Sequence, residues 1–472
     1  MTPLPEGVGL VLDPSVRVIE GGKVLIGGHP GRLLTLTDDG VAALEQLFGG
    51  EASGETARRL GRRLVDAGMA HPRPRAFDPP ATVASRVSVV IPVLDRPGAL
   101  EACLSSLRRT DEGADLPVVV VDDGSADPPT IEMVCRRFDA HLVHRATNGG
   151  PAAARNDGID VVDTELVAFL DSDCTVDGEW LAPLLPFFDD PAIGAVAPRV
   201  RPTSTDDRRP SVLARFADRH SDLDMGDRES EVGPERPVRY VPAAALVVRK
   251  AALTDAFDAA LRFGEDVDLV WRLGDAGWSV RYVPDVEVAH REPGSWSSWL
   301  ARRFRYGTSA APLAIRHPTR LAPLELRPWP ALAALALVSG RPRAALGTVA
   351  VSAALLARRV HGHHVPAWLP VRWSAEAAGW TVIGIGHAAT MLAAPVLAVA
   401  GCRHRRSAVL VLALAPPALE WWRRRPELDP ARWALASLAD DVAYGAGVWI
   451  GCLRSRTARP LVPKIARSAP EG

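Results

Sequence analysis

Residues 167–181 read VAFLDSDCTVDGEWL. Four apolar residues, Val167 to Leu170, run straight into Asp171-Ser172-Asp173. A short apolar run that stops at a polar turn is the pattern of a strand buried on both faces. Two carboxylates at the end of such a strand admit two readings. One is a solvated acidic turn. The other is a divalent cation holding a phosphate, since hard oxygen ligands suit Mg²⁺ and Mn²⁺.

Two earlier strand patterns end the same way. RVSVVIPVL (86–94) runs into Asp95, and PVVVV (117–121) runs into Asp122-Asp123-Gly124-Ser125. Between them PGALEACLSSLRR (97–109) places Leu100, Cys103, Leu104 and Leu107 on one helical face. This alternation predicts an α/β domain with a largely parallel sheet over 86–292. In open α/β sheets the ligand crevice lies beyond the carboxyl ends of the strands. Acids at three such ends are therefore expected to meet, and a buried carboxylate cluster repels itself unless a cation sits among them.

Three further stretches carry chemistry. TNGGPAAARNDGI (147–159) offers Gly149, Gly150 and Ala152 to Ala154, small enough for a ligand to approach the backbone, with Pro151 suited to a first helical turn. Close helix–sheet packing accounts for the same residues. RFGEDVDLVWRLGDAG (262–277) opens a helix on Glu265-Asp266, with Val267, Val270 and Trp271 apolar. Acids in a first turn complement the helix dipole. Alternatively one of them takes the proton of an acceptor hydroxyl, a weak nucleophile near neutral pH. RYVPDVEVAH (281–290) ends a strand pattern at His290.

Three regions flank or follow this domain. Residues 1–75 carry a hairpin signal, VRVIEGGKVLIGG, and two helical patterns, the first capped by Thr37 or Asp38. They read as a winged-helix-like module joined by a Pro-rich linker, 76–85. Residues 293–328 form an amphipathic connection containing RRFRYG (302–307). From 329 to 472 the chain is hydrophobic and helical. WTVIGIGHAATMLAAPVLAVAG (380–401) is long enough for a hydrocarbon core of ~30 Å. Basic clusters and Trp residues beside the apolar runs favour membrane-associated helices over a soluble Ala-rich domain. HGHH (361–364) has poor metal spacing and reads as a solvated loop.

The bulk numbers set the frame. A chain of 472 residues is expected to hold two or three domains. With 55 Lys+Arg against 56 Asp+Glu, nothing global points to nucleic acid, so no nucleic-acid partner is expected. Cysteines 103, 135, 174, 402 and 452 include no C-x-x-C pair and suit a reduced compartment. The first residues lack a basic segment followed by an apolar core, so no signal peptide is expected.

VSVVIPVLDR, VVVVDDGS, TNGGPAAARNDGI, FLDSD and GEDVDLVWR stand in the order typical of family 2 glycosyltransferases, and the chain resembles that family over roughly 86–306. The resemblance implies a GT-A fold, a nucleotide-diphosphate sugar as donor, Mn²⁺ or Mg²⁺, and transfer with inversion. Residue by residue it implies that Pro92, Asp95 and Asp123 hold the nucleoside and that Ala152 lines the substrate. Asp171 and Asp173 would lie by the ribose and the metal, with Asp173 the direct ligand. Asp266 would be the general base, with Glu265 beside it. His290 is either a further metal ligand or structural. Arg302, Arg305 and Tyr306 resemble the Q/R-x-x-R-W motif of processive members, with Tyr in place of Trp. They would contact diphosphate and acceptor sugar, or else form a basic helix at a membrane surface.

The N-terminal module is similar to the small peptide-recognition domains of peptide-modifying systems. With a transferase and a hydrophobic tail behind it, the whole resembles the glycosyltransferases that mature peptide-derived redox cofactors. That implies a peptide-derived acceptor, with its carrier or maturation proteins as further partners, and glucose from UDP-glucose added repeatedly. It also implies a place at the cell membrane, in contact with lipid, with the catalytic domain on the cytoplasmic side. The competing expectations are the same chemistry on a lipid-linked or polysaccharide acceptor, and a catalytically silent peptide-binding scaffold.

Overall fold

The structure, a computed structural model, describes residues 2–50, 53–75, 83–203, 210–359, 361, 366–403 and 406–465. Side chains of 338, 393–408 and 411 lie outside the description, as do most of the expected linker and residues 362–364 of HGHH. The chain divides into two units: Met1–Thr205 with His220–Glu292, and Asp206–Arg219 with Pro293–Gly472.

The first unit begins with a small module. Strands β1 (Gly9–Leu12), β2 (Arg17–Ile19), β3 (Val24–Gly27) and β4 (Arg32–Thr35) precede helices α1 (Asp38–Phe48) and α2 (Glu55–Asp66), then β5 (Ala70–Arg73). The Gly21-Gly22 turn joins β2 to β3, and β2-β3-β4 form an antiparallel sheet. Thr37 caps α1, its hydroxyl accepting from the Gly40 N–H at 3.2 Å. The pairing of β1 with β5 closes the module around Leu10, Leu25, Leu44, Leu47, Leu64 and Met69. Buried ions fix the module to the rest of its unit. Arg281, 1% exposed, donates to His71 Nδ1 at 3.0 Å and to Glu229 at 2.8 Å, while Arg62 meets Asp190 at 2.5 Å. The contacts of Arg281 with His71 and of Arg62 with Asp190 are not visible in local sequence, because each joins positions more than a hundred residues apart.

The α/β part follows in chain order: α3 (Val83–Arg86), β6 (Val87–Val93), α4 (Pro97–Arg108), β7 (Val118–Asp122), α5 (Pro128–Arg137), β8 (His141–His144), α6 (Pro151–Val161), β9 (Leu166–Leu170), β10 (Cys174–Val176) and β11 (Ile193–Thr203). Then come α7 (Val212–His220, in the second unit up to Arg219), β12 (Ser230–Glu231), β13 (Ala245–Arg249), α8 (Glu265–Asp275) and β14 (Ser279–Arg291). Among the described residues nine strands form one sheet, ordered β10-β14-β11-β13-β9-β6-β7-β8, with β12 on β14. β8, β7, β6 and β9 run parallel, and β13 lies antiparallel between β9 and β11. Every residue of β6, β7 and β9 is buried, as their unbroken apolar runs require. Leu100, Cys103, Leu104 and Leu107 of α4 pack on one face of this sheet.

The second unit is helical: α9 (Trp296–Thr308), α10 (Ala310–Arg316), α11 (Pro328–Val338), α12 (Pro342–Arg359), α13 (Trp368–Arg403), α14 (Arg406–Arg424) and α15 (Pro430–Arg454), with a two-residue ladder between Glu325–Leu326 and Lys464–Ile465. Glycines let α9 and α15 touch backbone to backbone. A Cβ on Gly307 would stand 2.1 Å from the Tyr444 carbonyl oxygen, and one on Gly447 2.0 Å from that of Phe304. Asp440 seals the contact, accepting from Trp299 Nε1 and Arg303 Nε, both at 2.8 Å. Among the described residues no helix is long and apolar enough to cross a membrane, and the segment expected to span, 380–401, lies inside α13.

Candidate active site

Three neighbouring strands, β9, β6 and β7, end at the acids that the sequence singles out. The chain leaves β6 past buried Pro92 and turns at Asp95, whose φ of 52° lies in the left-handed region. The turn is held at both ends. The Asp95 N–H donates to Ser125 Oγ at 2.9 Å, and Asp95 Oδ1 accepts from the Ala126 N–H at 2.7 Å. The loop after β7 is thereby fastened to the loop after β6.

Asp123 organises the next layer. Its two oxygens accept the N–H groups of Gly149 and Gly150 at 2.8 and 2.7 Å, and Arg145 Nε lies 3.0 Å away. Gly150, with φ 91°, caps α6, and Ala152 sits buried in the first turn. The small residues thus serve close packing, with Ala152, Ala153 and Ala154 all buried. Asp122, fully buried, is held by His144 Nδ1 at 2.9 Å and by the Ser125 N–H at 3.0 Å.

Asp171 and Asp173 close β9. The Asp171 N–H donates to the Ala244 carbonyl at 2.9 Å, and Asp171 Oδ1 accepts from Arg155 Nη2 at 2.7 Å. Asp173 faces His290 instead. β10 pairs with β14 so that Cys174 stands opposite His290, and the carboxylate comes within 3.5 Å of His290 Nε2. On its other side the Asp173 carboxylate meets Arg96 at 2.5 Å. Burial pushes the Asp173 carboxyl up, but His290, Arg96 and the backbone outweigh it and hold it down to about 2. For His290, burial works against charge, and the carboxylates of Asp173 and Glu292 overcome it, raising the ring to about 9.

This corner fits a divalent cation. Asp173 Oδ1 and His290 Nε2, 3.5 Å apart, are the groups that would hold such an ion, and their oxygen and imidazole donors suit Mn²⁺ or Mg²⁺. Glu292 stands 3.7 Å from His290 Nδ1, close enough to favour the charged ring but beyond hydrogen-bond range. Among the described residues no group of three or more His, Cys, Asp or Glu could hold an ion alone, so the pair needs oxygens from elsewhere to complete a shell. A bound ion must also displace the imidazole proton.

The opposite wall is the start of α8. Gly264, at φ 78°, turns the chain so that Glu265 and Asp266 lead the helix. Asp266 Oδ1 accepts from its neighbour's N–H, Val267, at 2.8 Å, and Oδ2 from the Ala243 N–H at 3.4 Å. Ala243-Ala244 therefore touches Asp266 with one residue and Asp171 with the next. Glu265, buried, accepts from Arg155 Nη1 at 2.8 Å. Burial raises the Asp266 carboxyl, with Arg155 opposing. Burial and then the charge of Asp266 raise Glu265, to about 7, against the pull of Arg155. A carboxyl held near neutrality is suited to proton transfer.

Arg302, Arg305 and Tyr306 lie on α9, in the second unit. The Arg302 guanidinium lies over the Trp299 ring at 4.9 Å and over Tyr306 at 6.0 Å, while Arg305 Nε turns back to the Ala301 carbonyl at 3.2 Å. The buried arginine of this motif is Arg303, and sequence reasoning passed over it. It also passed over Arg155, whose one sequence-level signal was a lone cation in an otherwise small-residue helix start, PAAAR.

Acids thus stand at the ends of three neighbouring strands, with a second acid pair at the start of α8 tied to them through Arg155. The chain belongs to glycosyl transferase family 2, whose pattern it matches over 88–250, and its α/β unit is GT-A-like. It is 38% identical to the pre-mycofactocin glycosyltransferase of Mycobacterium tuberculosis, across 98% of this chain and 99% of that protein. It is 28% identical to an N-acetylglucosaminyltransferase of Rhizobium meliloti over 50% of this chain and 60% of that one. A solved mannosyltransferase of Pyrobaculum calidifontis, in complex with GDP-Man and Mn²⁺, aligns at a TM-score of 0.46 and 18% identity, covering 81% of this chain and 90% of that one.

Proposed function

We propose that the chain is an inverting hexosyltransferase that moves glucose from UDP-glucose onto a hydroxyl of a mycofactocin-type, peptide-derived redox cofactor, and extends the first sugar into an oligosaccharide. The observation that carries this reading is the full-length similarity to pre-mycofactocin glycosyltransferase. It is supported by an acid pair set opposite the strand-end acids through Arg155.

In this reading Pro92, Asp95, Asp123 and Ala152 line the nucleoside and Asp171 the ribose side of the donor. Asp173 and His290 would hold Mn²⁺ or Mg²⁺, which when bound offsets negative charge on the departing diphosphate. Asp266 takes the proton of the acceptor hydroxyl as that oxygen attacks the anomeric carbon. One base suffices for one displacement, so the configuration inverts. The N-terminal module is winged-helix-like and receives the peptide portion of the acceptor. Incubation with UDP-glucose, Mn²⁺ and the peptide-derived acceptor tests this reading: a rise of acceptor mass in hexose steps is expected, and donor hydrolysis with no change in acceptor mass overturns it.

The second unit attaches to a membrane surface. Its helices expose Leu335, Leu346, Leu435 and Leu453, and the same unit carries the basic clusters Arg341/Arg343 and Arg423 to Arg425, a combination that suits anionic lipid. The full chain should therefore sediment with membranes in the absence of detergent. Recovery in the high-speed supernatant overturns the attachment.

A further inference from the structure

One buried cation stands between the two halves of the site. Arg155 is 3% exposed and lies on α6, not on a strand end. One guanidinium nitrogen donates to Asp171 at 2.7 Å and the other to Glu265 at 2.8 Å. The face of the guanidinium lies over the Phe257 ring at 5.3 Å, and Phe257 meets Phe169 of β9 edge-on at 5.0 Å. The next residue fastens the same place a second time. Asn156 donates to the Phe257 carbonyl at 2.7 Å and accepts the Phe257 N–H at 2.9 Å, fixing the segment that leads into α8.

We infer that Arg155 is a positioning residue that locks the donor-side carboxylate Asp171 and the base-bearing start of α8 into one register, so that donor and proton acceptor are presented together. This rests on the functional reading above and deepens it. The rigid fork of a guanidinium can hold two carboxylates at fixed separation, and a lysine ammonium, a point charge on a flexible stem, cannot. The groups that face the guanidinium are Asp171 from the end of β9 and Glu265 and Asp266 from α8. All three are carboxyls, so a cation is needed there for charge as well as for geometry. Arg155→Lys keeps the charge and removes the fixed geometry.

The test compares the wild type with Arg155→Lys, Glu265→Gln and the double variant, in transfer turnover, UDP affinity with Mn²⁺, and melting temperature. Misplacement of about 1 Å costs on the order of 10²-fold in rate, and that loss of turnover is expected for Arg155→Lys. UDP affinity should stay within about threefold and the melting temperature within a few degrees. The double variant should be little worse than Arg155→Lys alone, because both changes break one link. Wild-type turnover in Arg155→Lys overturns the inference. So does a parallel fall in turnover, affinity and melting temperature, and so do additive losses in the double variant. Absence of transfer by the wild type itself would instead sink the functional reading, and the inference with it.

Discussion

Asp266→Asn should reduce sugar transfer by roughly 10²–10⁴-fold, the range for loss of a general base. The amide keeps the size of the side chain, and its one oxygen can still accept the shorter bond, from the Val267 N–H, so the start of α8 should persist. UDP affinity should change little, since the cation corner at Asp173 and His290 uses other elements. If Asp266 only complements the helix dipole, the variant should lose at most ~1 kcal/mol of stability and keep its turnover. The pH dependence follows from the same carboxyls. Burial raises Asp266 and brings Glu265 to about 7, so the pair holds a proton well above the usual carboxylate range. A protonated base cannot accept another proton, so wild-type turnover should fall as the pH drops through the raised range of Asp266, at higher pH than an ordinary aspartate would give. The acidic limb should flatten in Asp266→Asn. Steady-state rates across pH and donor affinity, from one preparation, decide it. Near-normal turnover in folded Asp266→Asn would move the base to Glu265 or Asp268.

Asp173→Ala should abolish the metal dependence of nucleotide binding. In the proposed site the carboxylate would be one of two protein ligands, the other being His290, 3.5 Å away. Losing a direct ligand removes more than the 10–100-fold that loss of an outer partner costs. Calorimetric titration of UDP with and without Mn²⁺ reads this directly. The wild type should bind UDP more tightly with the ion, and the variant should bind equally weakly in both conditions. A metal-dependent gain that survives in Asp173→Ala would remove that residue from the cation site.

The strand-end acids were legible because parallel strands buried on both faces write themselves as unbroken apolar runs. Asp95, Asp123 and Asp171 follow such runs, and β6, β7 and β9 are neighbours in the sheet. The helix start at Glu265 was legible from its own periodicity. His290 was legible as a strand end, but its place beside Asp173 depends on the register that sets Cys174 opposite it, across more than a hundred residues. No local pattern encodes such a register. Arg155 was missed for a related reason. Its burial follows from acids supplied by β9 and α8, while its own helix reads as small residues near a ligand. In the N-terminal module the hairpin and both helices had local signals. The β1–β5 ladder joins the two ends of the module and had none. Alternation also predicted a mostly parallel sheet, and the half from β8 to β9 is parallel. The antiparallel β13 follows the Ala243-Ala244 turn, which also touches Asp171 and Asp266, and no local pattern announced its direction.

The most direct test is incubation of the full chain with Mn²⁺, the peptide-derived acceptor and a panel of sugar nucleotides, with the acceptor followed by mass spectrometry and its anomeric linkage by NMR. The account predicts acceptor mass rising in hexose steps with UDP-glucose, dependent on the ion, with a β linkage formed from the α-linked donor. Donor hydrolysis with no change in acceptor mass, an α linkage, or full transfer in the presence of a chelator would contradict it.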